Sequence, residues 1–134
     1  MFADFNFVFL SGFVNRITEL RRNKNNKFYC FGTLSNKPLT KYEDDKVNFF
    51  SFLANESVAT FLTNHAQKGS YVMFQGILTR AKPKTKGAAA MPIIYVKQAR
   101  VISNYKHGVL PTETEEIPTE EINEYEEIIN DYFN

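Results

Sequence analysis

Between residues 28 and 36 the chain alternates with a period of two. Phe28, Cys30, Gly32 and Leu34 fall on one side, and Tyr29, Phe31, Thr33 and Ser35 on the other. Alternation of this kind is the mark of a strand with one face on a core. The period returns over 47–54, where Phe50, Phe52 and Ala54 share one side while Phe49 and Ser51 share the other. Residues 5–14 are nearly continuous in apolar side chains. They are read as a strand buried on both faces, with Gly12 marking a bulge or bend.

A change of period follows. Asn55 is placed as an N-cap, Val58, Phe61, Leu62 and His65 recur at helical spacing, and Gly69 stands where a helix should stop. Two more strands are expected over 70–78, with Val72, Phe74, Gly76 and Leu78 on one face, and over 91–103, which is rich in Ile and Val. Polar stretches at 16–27, 37–46 and 81–90 are read as loops. Three strands, one short helix and two strands is the order of an all-β, five-stranded Greek-key barrel of the oligonucleotide/oligosaccharide-binding (OB) type, with its helix between strands 3 and 4. Periodicity alone admits other small barrels as well.

Charge divides the 134-residue chain in two. All sixteen Lys and Arg lie at or before Lys106, against six acids in the same stretch, so residues 1–107 carry a net +10. Residues 108–134 hold nine acids and no base. We therefore read 1–107 as one domain that takes a polyanion and 108–134 as an acidic C-terminal tail. Ile122, Tyr125, Ile129 and Tyr132 recur at near-helical spacing after Pro118 and Thr119. The tail is thus either a disordered end or a short amphipathic helix. A third possibility is that the acidic tail occupies the basic domain until a polyanion displaces it.

Other classes find little support. No apolar run approaches the ~20 residues of a membrane span, and the N-terminal stretch lacks the pattern of a secretory signal. One cysteine forms no disulfide framework, and one cysteine with two histidines makes a poor zinc set. Phosphate-binding glycine loops and nucleophile elbows are missing. No enzyme, metal or cofactor is expected. His65 and His107 are read as surface residues, Cys30 as a buried thiol and the acids Glu43, Asp44 and Asp45 as a solvated turn.

Several segments resemble the single-stranded DNA-binding proteins of bacteria and their phages. Asn6-Phe-Val-Phe-Leu-Ser-Gly12 is similar to the family's opening strand, Glu19-Leu20-Arg21 to a short motif after it, and Phe49 to Ala59 to the third strand and the start of the helix. The most specific stretch is Lys68-Gly69-Ser70-Tyr-Val72-x-x-x-Gly76-x-Leu78; Tyr95, Val96 and Val101 match the last strand. Together these cover roughly 5–103. The chain departs from the family in having no tryptophan. Of four stacking places only that of Phe49 is aromatic, the others falling near Thr40, Asn55 and Pro83. Its end, Asp131-Tyr132-Phe133-Asn134, lacks the family's final Pro-Phe.

A binder of single strands without sequence preference needs flat rings for bases and cations for phosphates. Phe49, Tyr29 and Phe31 are the expected stacking platform; the plainer alternative for the latter two is a second core layer or a subunit interface. Arg80 with Lys82, Lys84 and Lys86, then Arg21, Arg22, Lys24 and Lys27, then Lys37 and Lys41, are the expected phosphate contacts. The doubly apolar first strand calls for a partner, at least a second copy, and the resemblance implies a homotetramer. It also implies a cytoplasmic location (the nucleoid, or the host cytoplasm for a phage gene). A tip for replication and repair proteins at Asp131, Tyr132 and Phe133 follows from the same resemblance. The expected function is coating of single-stranded DNA in replication, recombination and repair. Two alternatives share the fold: a primosome-type accessory factor that binds protein rather than poly-dT, and an RNA-binding module.

Overall fold

The computed structural model describes residues 3–38, 47–81, 87, 91–104 and 119–132. Its strands are β1 (Val8–Ile17), β2 (Arg21–Arg22), β3 (Phe28–Asn36), β4 (Asn48–Asn55), β5 (Tyr71–Arg80) and β6 (Pro92–Ser103). Helix α1 (Glu56–His65) joins β4 to β5, and α2 (Thr119–Tyr132) ends the described chain. The strand order is β1-β5-β6-β4-β3-β2, and a further pairing of β1 with β3 closes five strands into a barrel. Every pairing is antiparallel except β4 with β6. The expected all-β OB architecture is therefore present, with β2 as a two-residue addition to the edge of β3.

The inner faces meet as the alternation requires. Cys30, Leu34, Phe52, Ala54, Val72, Phe74, Ile94 and Val96 are all buried, and α1 closes the end of the barrel with Ala59 and Leu62. Burial of the Cys30 thiol pushes its pKa up to about 12, so it stays protonated and inert at neutral pH.

Several local expectations are corrected. The first strand runs 8–17 rather than 5–14, and residues 3–7 form no strand. Nor is it buried on both faces, because Phe5, Phe7 and Phe9 are exposed. The stretch read as a loop over 16–27 contains the end of β1 and all of β2. It is turned by buried Asn23, whose Oδ1 accepts the N–H groups of Asn25 (3.0 Å) and Lys27 (2.9 Å). Asn55 holds the N-cap position of α1 but gives the helix no side-chain bond; its Oδ1 instead accepts the Tyr95 hydroxyl at 2.6 Å. Finally, α1 stops at His65, before Gly69.

Gly12 is not the bulge. The register of β1 on β3 slips between Val14 and Arg16, so that Val14 faces Leu34 while Arg16 faces Thr33. Gly12 and Gly32 serve a different need, the close crossing of β1 and β3 where the barrel shuts. A Cβ on Gly32 would collide with the Arg16 carbonyl oxygen and lie 2.8 Å from Phe52 Cζ. The backbone atom cannot yield without breaking the closing ladder. Gly32→Ala should therefore lower stability by about 1–3 kcal/mol, the usual cost of overpacking. Thermal melting checks this, and an unchanged melting temperature would refute the crossing as a tight one.

Candidate nucleic-acid interface

The outer face of β3 and β4 is assembled by register. Tyr29 stands opposite Asn55, Phe31 opposite Leu53, Thr33 opposite Ser51 and Ser35 opposite Phe49. One end of this face is therefore apolar and aromatic, its middle is small and polar, and its far end carries Phe49. The Phe49 side chain is 60% exposed, an open ring on a strand. Lys37, also exposed, follows the end of β3 beside it.

Tyr29 and Phe31 do lie on the outer face, but the structure corrects their role as open platforms. Both are fully buried, because α2 crosses the face and makes a second apolar layer with them. Leu53, Ile93 and Ala81 complete the floor, and Tyr125, Ile128, Ile129 and Ile122 press on it from the helix. The Tyr125 ring stacks on Phe31 with centroids 3.9 Å apart and planes 8° from parallel. Such a pair contributes about 0.5–1.5 kcal/mol beyond its buried area. The plainer reading of Tyr29 and Phe31, a second layer, is the one the structure shows.

Charge pins the same contact. Arg16 donates from Nη1 to Glu121 Oε2 at 2.9 Å and from Nη2 to Oε1, a bidentate pair across β1 and α2. The Tyr29 hydroxyl donates to Glu126 at 2.7 Å. Burial, reinforced by this carboxylate, pushes the Tyr29 pKa up to about 12. Arg16 was missed as a site residue because the polar stretch 16–27 is read as a loop, whereas Arg16 continues β1. The bulge between Val14 and Arg16 then turns the Arg16 side chain to the outer face, and a bulge leaves no reliable mark in a single sequence.

The expected cations divide. Arg21 pairs with Glu19 at 2.8 Å, and its buried Nε has no hydrogen-bond partner among the described residues. Arg21 stands opposite Tyr29 in the register, so it flanks the aromatic end of the face. Arg22 lies 4.6 Å above the Phe28 ring and donates to Asn26 Oδ1 at 3.1 Å. Lys24 and Lys27 are exposed on the Asn23 turn, and Arg80 is exposed at the end of β5. Lys41, Lys82, Lys84 and Lys86 lie outside the described residues, as do Phe133, the acids 43–45 and the 107/108 boundary. Asp131 and Tyr132 belong to α2, but their side chains are outside the description. No group of three or more His, Cys, Asp or Glu among the described residues is placed to hold a metal ion. None of the described helices is long and apolar enough to cross a membrane.

A different outer face, on β1, β5 and β6, is open. Phe9 (53% exposed) and Met73 on the strands, with Phe61 on α1, border a hollow of about 570 Å³ that also takes in Lys97 and Arg100. Phe7 and Phe5, 71% and 106% exposed, lead up to it.

Comparison with known proteins bears on the fold. No family model and no curated protein sequence matches the chain. Solved structures do. The small single-stranded DNA-binding protein of Streptomyces coelicolor is 20% identical with a TM-score of 0.58, over 71% of this chain and 90% of that one. The mitochondrial single-stranded DNA-binding protein Rim1 of S. cerevisiae is 18% identical with a TM-score of 0.61, over 78% of this chain and 100% of that one. The chain shares its fold with these proteins.

The Tyr29 shift has a consequence for the outer layer. Below pH 10 the phenol is protonated in folded and unfolded chains alike, and its contribution is whole. Between about pH 10 and 12 the unfolded chain ionises first, so stability falls as pH rises through that window. Titration of phenolate absorbance should show Tyr29 ionising late, with Tyr95, also raised by burial, behind the free-tyrosine range. Replacing Tyr29 with Phe should remove one late-titrating group; if the late phase is unaltered, the hydroxyl is not held as described.

Proposed function

We propose that this chain binds single-stranded DNA without regard to sequence and coats exposed strands during replication, recombination or repair. The observation that carries the reading is the closed barrel itself, shared over the full length of one protein described as a single-stranded DNA-binding protein and nine-tenths of another. A net +10 on residues 1–107 supplies the ionic attraction, and the outer face of β3 and β4 supplies the rings. Phe49 is the first stacking residue we assign, since it is the open ring on that face. Arg21, Arg22, Lys24, Lys27, Lys37 and Arg80 are assigned to phosphates, with Lys41, Lys82, Lys84 and Lys86 on the two connecting segments. Such binding is non-enzymatic and needs no cofactor. The compartment we assign is the one that holds the DNA, the cytoplasm of a bacterium or phage host. Replication and repair proteins are assigned to the tip Asp131, Tyr132 and Phe133.

Titration with poly-dT at several salt concentrations, followed by tyrosine fluorescence, tests the reading. Each phosphate contact should add about 0.7 to the slope of log affinity against log salt. Changing Phe49→Ala should weaken binding by about 1–3 kcal/mol, one stacked base, and leave the slope as it was. Changing Lys24 and Lys27 together to Ala should lower the slope by about 1.4 with a smaller loss at high salt. No binding in dilute buffer would end the proposal, and competition by poly-U as strong as by poly-dT would redirect it to RNA.

Self-association belongs to the same reading. Phe5, Phe7 and Phe9 project from β1 and the segment before it, beside the Phe61 and Met73 hollow, and rings this exposed mark an interface. At least a dimer, and by the resemblance a tetramer, is expected. Sedimentation at micromolar concentration should give a multiple of 15.5 kDa, and Phe9→Asp should reduce it. A wild-type monomer would refute this assignment.

A further inference from the structure

We propose that a single strand held at Phe49 continues round the barrel to a second base-stacking site at the seam of β1, β3 and β5, built by Phe13 and Tyr71 with Lys37 as its phosphate contact. This rests on the reading of the chain as a single-strand binder and gives the bound strand its course.

Register sets the course. Val14, Leu34 and Val72 point into the core, which turns their neighbours Phe13, Ser35 and Tyr71 to the outer face. There Phe49 stands opposite Ser35, Ser35 opposite Phe13, and Phe13 opposite Tyr71. These residues form one row that crosses β4, β3, β1 and β5. Neighbouring strands lie about 4.8 Å apart, so three steps carry the row roughly 14 Å along the sheet from the first ring to the last. Ser35 keeps the middle low, because its hydroxyl lies down on the Phe13 carbonyl oxygen at 3.3 Å. Barrels of this type take oligonucleotides on the face of the strands that are here β3 and β4. The row leads off that face and onto β1 and β5.

The seam has a hollow for a local reason. β1 pairs with β3 from Phe13 onward, whereas Ser11 and Gly12 pair with β5 alone. β3 runs on to Asn36, so the two strands part, and the Asn36 side chain spans the gap by donating to the Ser11 carbonyl oxygen at 2.8 Å. The parting leaves a space of about 460 Å³ that Phe13, Tyr71, Ser11 and Lys37 help to line. Small-ligand sites occupy about 300–1,000 Å³. The Phe13 and Tyr71 rings meet there with centroids 4.9 Å apart and planes 66° from parallel. Such a corner takes a flat base with its face on one ring and its edge against the other. The Tyr71 hydroxyl is hydrogen-bonded to that of Ser11 at 2.9 Å, so the ring is held in place before a base arrives.

Charge agrees with this course. Lys37 is exposed at the rim of the hollow and pairs with no acid among the described residues. At the other end of the β3–β4 face Arg16 and Arg21 are met by Glu121 and Glu19, and Phe31 is covered by Tyr125. Open rings and an unpaired cation therefore coincide at the Phe49 end. The hollow has no residue of α2 among its described lining, so a strand on this row runs clear of the helix.

The test uses the full chain. Tyr71→Leu removes the ring and keeps an apolar side chain, while Tyr71→Phe keeps the ring and loses only the bond to Ser11. Oligo-dT should bind the Leu variant about fivefold or more weakly, one lost stack, and the Phe variant nearly as well as the unaltered chain. Irradiating the unaltered chain with oligo-dT that carries 5-iodouracil should leave adducts on Tyr71 or Phe13, mapped by mass spectrometry. This second measurement decides the matter should the Leu variant fail to fold. Adducts confined to residues outside the seam, or a folded Tyr71→Leu variant that binds as tightly as the unaltered chain, would overturn the seam site and leave binding at Phe49 in place. Failure of the unaltered chain to bind oligo-dT would instead refute the function on which the site rests.

Discussion

The stack of Tyr125 on Phe31 is the contact on which the outer half of this molecule depends. A barrel has one interior, and strands with aromatic side chains on both faces must find a second cover for the outer set. Here Phe31 and Tyr29 find it within the chain. Among the described residues the inner cluster contains none from α2, so the outer layer is a second cluster laid on the barrel. Water is excluded from Phe31 and Tyr29, and at the partly exposed rim of the layer Arg16 pairs with Glu121 and Arg21 with Glu19. Fold and candidate site meet at this layer.

Much of the fold was legible because alternation is a strong signal where one face is buried. Phe52, Ala54, Val72 and Phe74 are core residues for the reason that their spacing implied. The same alternation placed Phe49, Phe31 and Tyr29 on the opposite face, which the register bears out. It could not say what covers that face. Exposure depends on a helix about ninety residues away in sequence, and no local pattern encodes that contact.

The errors near the N-terminus have a different origin. Residues 5–14 look like a strand buried on both sides because rings at Phe5, Phe7 and Phe9 resemble core residues. An apolar side chain reports a preference for burial, not the identity of the partner. The bulge in β1 then reversed the parity of Arg16, and a residue that holds the second layer in place was read as part of a loop. Asn55 shows the same limit at a helix start: the residue type suits a cap, but Tyr95 takes the side chain first.

The tail illustrates how a segment's secondary structure can be undecidable from its own residues for a physical reason. A helix of fourteen residues is marginal in water even with good formers, and six like charges oppose it further. Alone, α2 should be largely coil. On the barrel, Ile122, Tyr125, Ile128 and Ile129 bury one face, and the acids find Arg16 and the Tyr29 hydroxyl. Of the two readings of the tail, the structure holds the amphipathic helix, and its apolar face is the one laid on the barrel. Helix formation is thereby coupled to occupancy of the outer face. The stacked Tyr125 and the three isoleucines thus supply the burial that a fourteen-residue acidic helix needs to outweigh the conformational entropy it loses.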